Sequence, residues 1–131
     1  MGVREDGSML GYVTIGTRNL EKAVAFYSEL LELLDAKEIF NLGRLVMFGQ
    51  EAGGGMLAVC TPFDGEPASS GNGNMVALNA GSREKVDAIH AKALALGATD
   101  EGAVGERMPG FYAGYFRDAD GNKVAAYVMG A

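Results

Sequence analysis

From Met9 to Gly16 apolar and polar positions alternate, with β-branched residues among them, so this stretch reads as a strand. Val13 and Ile15 fall on one side of it, Tyr12 and Thr14 on the other. The period lengthens at Leu20. Leu20, Ala23, Val24, Tyr27, Leu30, Leu31 and Leu34 recur at three- and four-residue spacing and make one apolar helical stripe. Asn19 stands before it as an N-cap, without the glutamate that would complete a capping box. Short strand-like runs follow at Lys37–Phe40, Arg44–Phe48 and Met56–Cys60. They are separated by Asn41-Leu42-Gly43 and the glycine run Gly53-Gly54-Gly55. This half of the chain is predicted to be a βαβββ module.

The same order then returns. A shift that carries Tyr12 onto Met75 places Val13-Thr14-Ile15 on Val76-Ala77-Leu78, Glu21-Lys22 on Glu84-Lys85, and Tyr27 on His90. The second module opens with a strand at Asn74–Asn79. A helix follows, capped by Ser82, with Val86, Ile89, His90, Ala93, Leu94 and Leu96 on its buried stripe and Gly97 at its end. Ala98–Ala103 reads as a weak strand; Gly110–Arg117 and Asn122–Val128 read as strong ones. They are joined by Asp118-Ala119-Asp120-Gly121, a tight-turn sequence in which Asp bonds back to the backbone and Gly supplies a positive φ. An EF-hand loop starting at Asp118 would need Gly at its sixth position and Glu at its twelfth, where Lys123 and Met129 stand. The expected layout is a first module over 9–61, a linker over 62–73 rich in Pro, Gly and Ser, and a second module over 74–131. Together they form an α+β fold of two tandem βαβββ repeats, with a curved cleft between the sheets and the helices outside.

Composition narrows the function. The chain has 131 residues, of which 48% are hydrophobic and 21% charged, ordinary for one globular domain. Its formal net charge of −6 repels phosphate backbones and anionic lipid, so neither nucleic acid nor a membrane is an expected partner. Met1–Ser8 is polar, unlike a secretory leader, no apolar run reaches the roughly 20 residues of a membrane span, and the single Cys60 excludes an internal disulfide. A cytoplasmic location is expected. Cys60 and the only histidine, His90, read as core residues, His90 at the contact between helix and sheet. The glycine run at 53–55 lacks the Lys-Ser or Lys-Thr of a phosphate loop.

Three segments together carry a family resemblance. They are Leu10-Gly11-Tyr12-Val13-Thr14-Ile15-Gly16 followed by Asn19-Leu20-Glu21-Lys22, the repeated strand–helix order, and Phe116-Arg117-Asp118-Ala119-Asp120-Gly121-Asn122-Lys123-Val124. From about Met9 to Met129 the chain resembles the vicinal oxygen chelate superfamily, the glyoxalase, bleomycin-resistance and ring-cleaving dioxygenase group. The resemblance implies a divalent metal held in the cleft by His, Glu or Gln from the first and last strands of each module. Carried over position by position, those ligand sites fall on Tyr12 and Ala58 in the first module and on Met75 and Ala125 in the second. Such metals take imidazole, carboxylate or thiolate donors. Alanine offers none, methionine sulfur is too soft, and one phenol is not enough, so neither a metal nor another cofactor is expected.

The expected function is metal-free binding of a small organic molecule in the cleft, which the bleomycin-resistance branch resembles. Tyr12, Phe48, Ala58, Met75, Tyr112, Tyr115, Ala125 and Arg107 are the expected ligand-facing residues. Glu106 and Arg44 are polar neighbours of the same stretches. The acidic balance favours a cationic or neutral ligand. The alternative is a lyase or dioxygenase of this superfamily, with a metal site not visible in sequence or with metal-independent chemistry centred on Tyr12. Relatives commonly form two-fold dimers, so a homodimer is expected.

Overall fold

The computed structural model describes residues 8–130, so the reading of the first few residues, Ser8 aside, lies outside it. It divides into two compact units, Met1–Ala68 and Ser69–Ala131, and each is described by itself. The segment expected as a linker is shared between them. Thr61–Ala68 stays with the first unit, where the Thr61 N–H donates to Arg44 O and Ala68 is buried.

The first unit runs β1 (Tyr12–Gly16), α1 (Leu20–Leu31), a 3₁₀ turn (Glu32–Leu34), β2 (Ala36–Asn41), β3 (Leu45–Gln50) and β4 (Met56–Cys60). Its sheet has the order β1-β4-β3-β2, with β1 parallel to β4 and the other pairs antiparallel. The helix begins where the sequence predicts. Asn19 is extended and its side chain accepts from the Lys22 N–H at 3.1 Å, satisfying one orphan donor of the first turn. Asp35, in left-handed geometry at φ 56°, ends the 3₁₀ turn and sends the chain into β2.

The second unit repeats the plan: β5 (Val76–Asn79), α2 (Arg83–Ala95), β6 (Thr99–Met108), β7 (Phe111–Arg117) and β8 (Lys123–Met129), in the order β5-β8-β7-β6. Ser82 Oγ accepts from the Lys85 N–H at 3.1 Å, and Gly97, at φ 104°, closes α2. In the β7–β8 turn Asp118 Oδ1 accepts from the N–H groups of Asp120 and Asn122 while Oδ2 accepts from the Asn122 side chain, and Gly121 sits at φ 86°. Strand β6 departs furthest from its expected length. It runs on from Thr99 to Met108, past the expected end at Ala103, with three register shifts against β7 that absorb its glycines.

Register shows the duplication in three dimensions. Thr14 pairs with Ala58 and Met47 with Ala58; in the second unit Ala77 pairs with Ala125 and Tyr115 with Ala125. The alanines are therefore equivalent, and so are Met47 and Tyr115, one position before Phe48 and Phe116. Each unit buries one sheet face under its helix. In the first, Val46, Phe48, Leu57 and Val59 lie on one parity and are buried together with Tyr27, Leu30 and Leu31 of α1. In the second, Phe116, Val124, Ala126 and Val128 do the same with Val86, Ile89 and Ala93 of α2. Burying a side chain such as Phe48 or Phe116 stabilises by about 1.5–3 kcal/mol, so these faces hold each unit together.

Candidate functional site: the sheet faces opposite the helices

The remaining parity of each sheet points away from its helix. In the first unit this open face carries Tyr12 and Thr14 of β1, Met47 of β3, and Met56, Ala58 and Cys60 of β4. Tyr12 is 55% exposed, whereas Ala58 is fully buried at its floor. Gly49 shares this parity, and the space its missing Cβ leaves is filled by Ile39 and Met56, at 2.7 and 2.8 Å from where a Cβ would stand.

In the second unit the open face carries Ala77 of β5, with Met75 just ahead of that strand, then Lys123, Ala125 and Tyr127 along β8, and Phe111, Ala113 and Tyr115 along β7. Phe111 and Tyr127 stack with centroids 5.8 Å apart and an interplanar angle of 27°. Arg107, at the last register shift of β6, runs back along its own strand. Its guanidinium nitrogens lie 3.1 Å from where a Gly105 Cβ would be and 3.4 Å from that of Gly102, and Nη2 donates to Ala103 O. The guanidinium carbon reaches 5.2 Å from the Tyr115 ring centroid, and Lys123 Nζ stands 5.4 Å from the same centroid.

Of the eight residues expected to face a ligand, Tyr12 and Ala58 in the first unit and Tyr115 and Ala125 in the second lie on an open face by register, Arg107 reaches one through its contact with Tyr115, and Met75 stands just ahead of β5. The other two lie on the helix side. Phe48 pairs with Leu57, is 1% exposed and belongs to the helix-side core, the place its equivalent Phe116 also takes. Tyr112 has the parity of Phe116, and its hydroxyl donates to Asp87 Oδ1 of α2 at 2.6 Å while Arg83 lies 4.8 Å over its ring. The bond to Asp87 raises the Tyr112 phenol above its usual 10.0. Glu106 goes with it to the helix side, 3.6 Å from Arg83. Lys123, Phe111 and Tyr127 join the open face without having been expected there; their even spacing from Ala125 and Tyr115 on the same strands is the signal that finds them.

His90 lies on the helix side. Its Nε2 is 3.1 Å from Asp100 Oδ1 and 3.2 Å from Tyr115 O; both partners are acceptors, so Nε2 carries the proton. Gly114 makes room for the ring, since a Cβ there would stand 3.0 Å from His90 Cδ2 and 2.7 Å from Val104. Asp100 also accepts from the Gly102 N–H at 2.9 Å, and that bond, aided by His90 and opposed by desolvation, holds its carboxyl below 3.8.

The donor set of the open faces does not fit a divalent metal. The positions where the family resemblance places ligands hold a phenol and a methyl group in the first unit, and a thioether and a methyl group in the second. Among the described residues, no three His, Cys, Asp or Glu side chains converge as a metal-binding group. None of the described helices is long and apolar enough to cross a membrane.

The sequence model of the Glyoxalase/Bleomycin resistance protein/Dioxygenase superfamily matches residues 9–126. The chain belongs to this superfamily. Among solved structures it is similar to a glyoxalase/bleomycin resistance protein from Albidiferax ferrireducens T118, at 35% identity over 93% of this chain and 99% of that one, with a TM-score of 0.85. The fold is shared with a glyoxalase/bleomycin resistance protein/dioxygenase family enzyme from Burkholderia phytofirmans PsJN, at 20% identity over 91% of this chain and 97% of that one, with a TM-score of 0.73. It is also shared with the lactoylglutathione lyase from Agrobacterium tumefaciens, at 21% identity over 92% and 93% of the two chains, with a TM-score of 0.66. No curated protein matches the chain. The α+β architecture of two βαβββ units, each with a four-stranded sheet and a helix on one face, is that of this superfamily.

Proposed function

We propose that this member of the superfamily binds a small organic molecule on an open sheet face without a metal ion, as a binding protein rather than a metal-dependent lyase or dioxygenase. The observation that carries the reading is the pair Ala58 and Ala125, equivalent by register and without a donor atom, at the centre of the two open faces. A methyl group there offers no donor, and the neighbouring side chains of each unit suit an organic ligand: in the first, Tyr12 with a phenol to donate or accept and Met47 as a deformable wall; in the second, Met75 as a deformable wall and Tyr115 as a flat one. Proteins with such faces commonly pair about a two-fold axis, and a homodimer in the cytoplasm is part of the proposal.

The test is elemental analysis of protein expressed in medium supplemented with nickel, zinc, iron and manganese, followed by a thermal-shift screen of organic compounds. The expected result is metal far below one equivalent together with compounds that raise the melting temperature. One equivalent of a divalent metal that survives dialysis, and is lost with lyase or dioxygenase turnover on chelation, overturns the metal-free reading in favour of the enzyme. A screen in which no compound shifts melting overturns the binding reading.

A further inference from the structure

The open face of the second unit is basic at one end in a protein whose net charge is −6. Arg107 and Lys123 come from opposite sides of the sheet, β6 and β8, and both converge on Tyr115 of the strand between them. Neither is in an ion pair with a described carboxylate. Glu101, whose carboxyl feels Lys123, is bonded by Arg117 at 3.2 Å, and that bond holds it below 4.5; the second guanidinium nitrogen of Arg117 donates to Gly121 O. Glu101 and Arg117 therefore offset one another, and the charge left over on this end of the face is positive.

The sequence builds this arrangement on purpose-shaped backbone. Gly102 and Gly105 are the positions over which the Arg107 guanidinium lies, and a Gly102 Cβ would also stand 3.0 Å from the Tyr115 ring. A side chain at Gly105 would make the guanidinium give way by a few tenths of an ångström, and one at Gly102 would press on the Tyr115 ring. From Tyr115 the face continues over Ala113 and Ala125 to the stacked Phe111 and Tyr127. Tyr115 and Phe111 are four residues apart on β7, about 13 Å at about 3.3 Å per residue. The face thus has a cationic end and an aromatic end, with Ala113 and Ala125 buried between them along the strands.

We infer that Arg107 and Lys123, which flank the Tyr115 ring at 5.2 and 5.4 Å from its centroid, form an anion subsite, and that the ligand of this face is a flat apolar molecule carrying a carboxylate or similar anionic group. This rests on the open face being the ligand face, and it revises the expectation from net charge alone of a cationic or neutral ligand. A guanidinium held flat by its bond to Ala103 O is pre-oriented, so little rotamer freedom is lost when it meets a planar anion. The ring beneath gives that cation a favourable resting place when no ligand is present.

The test compares naphthoate with naphthamide, the same ring system with and without charge, by isothermal titration calorimetry and amide chemical-shift mapping on the full chain. Naphthoate is expected to bind more tightly than naphthamide, with shifts at Ala113, Tyr115 and Ala125. Its affinity is expected to fall roughly tenfold in an R107Q/K123Q double variant, the scale of losing charge-assisted hydrogen bonds, while naphthamide binds both proteins equally. Arg83→Gln, which removes a cation from the helix side, leaves naphthoate affinity unchanged. Both side chains are surface groups, and an unaltered melting temperature of the double variant shows that the fold persists. Equal binding of the two compounds to the native protein overturns the anion subsite and leaves the binding reading standing; no binding of either overturns the subsite together with the ligand face it rests on.

Discussion

Phe48 and Tyr112 show how much depends on one strand position. Both are aromatic residues in strands next to open-face residues, and both turn to the helix because strand parity leaves no other direction. Phe48→Ala is expected to cost about 3–5 kcal/mol in urea denaturation, the range for removing a buried aromatic ring, and to unfold the protein rather than merely weaken a ligand contact. His90 occupies the core position that the helical stripe of α2 assigns to it, but its acceptor partners were not legible, since Asp100 and the Tyr115 carbonyl come to it from β6 and β7 through the pairing of those strands. Asp100 also supplies a pH dependence. Its folded carboxyl titrates below 3.8, so the stability it contributes is fully present above that value and is lost as pH falls through the lower folded one. Stability measured from pH 6 downwards is expected to fall on an acid limb that is shallower in Asp100→Asn. An unchanged limb in that variant would mean that the Gly102 and His90 bonds do not favour the charged form.

At the scale of elements, helix starts and β-turns were legible because each rests on one local chemistry. Asn19 and Ser82 cap the two helices as their side chains predict, and Asp118 with Gly121 makes the β7–β8 turn. Asn19→Ala and Ser82→Ala are each expected to lower stability by about 1 kcal/mol, with the change visible in the denaturation midpoint and not in its slope. The far half of β6 was not legible. Gly105 and Glu106 have low strand propensity, and only pairing with β7 makes this stretch a strand. That pairing also brings Arg107 over Tyr115. The cationic end of the open face was hidden for the same reason as the strand that carries it.

For the whole molecule, the internal repeat was the informative signal, because it makes positions in one half interpretable from the other. It equated Tyr12 with Met75 and Ala58 with Ala125, and for the two alanines the register of both sheets agrees. The two units keep one frame and fill it differently: where Met47 stands in the first, Tyr115 with its two cations stands in the second. Charge-sensitive binding is therefore expected to map to the second unit alone. The proposed homodimer predicts a light-scattering mass of twice one chain across a tenfold dilution range; a single-chain mass throughout would remove it.

The register shifts in β2 and β6 have a bearing on solubility. Each is the outer antiparallel strand of its sheet, and each is broken, β2 between Glu38 and Phe40 and β6 at three places. A kinked border presents no straight row of amide and carbonyl groups to a passing chain. Ile39 and Phe40 lie on that border, 40% and 50% exposed, and would otherwise be a nucleus for fibrous stacking. The irregular edge lets the molecule carry greasy surface without becoming a template for its own aggregation.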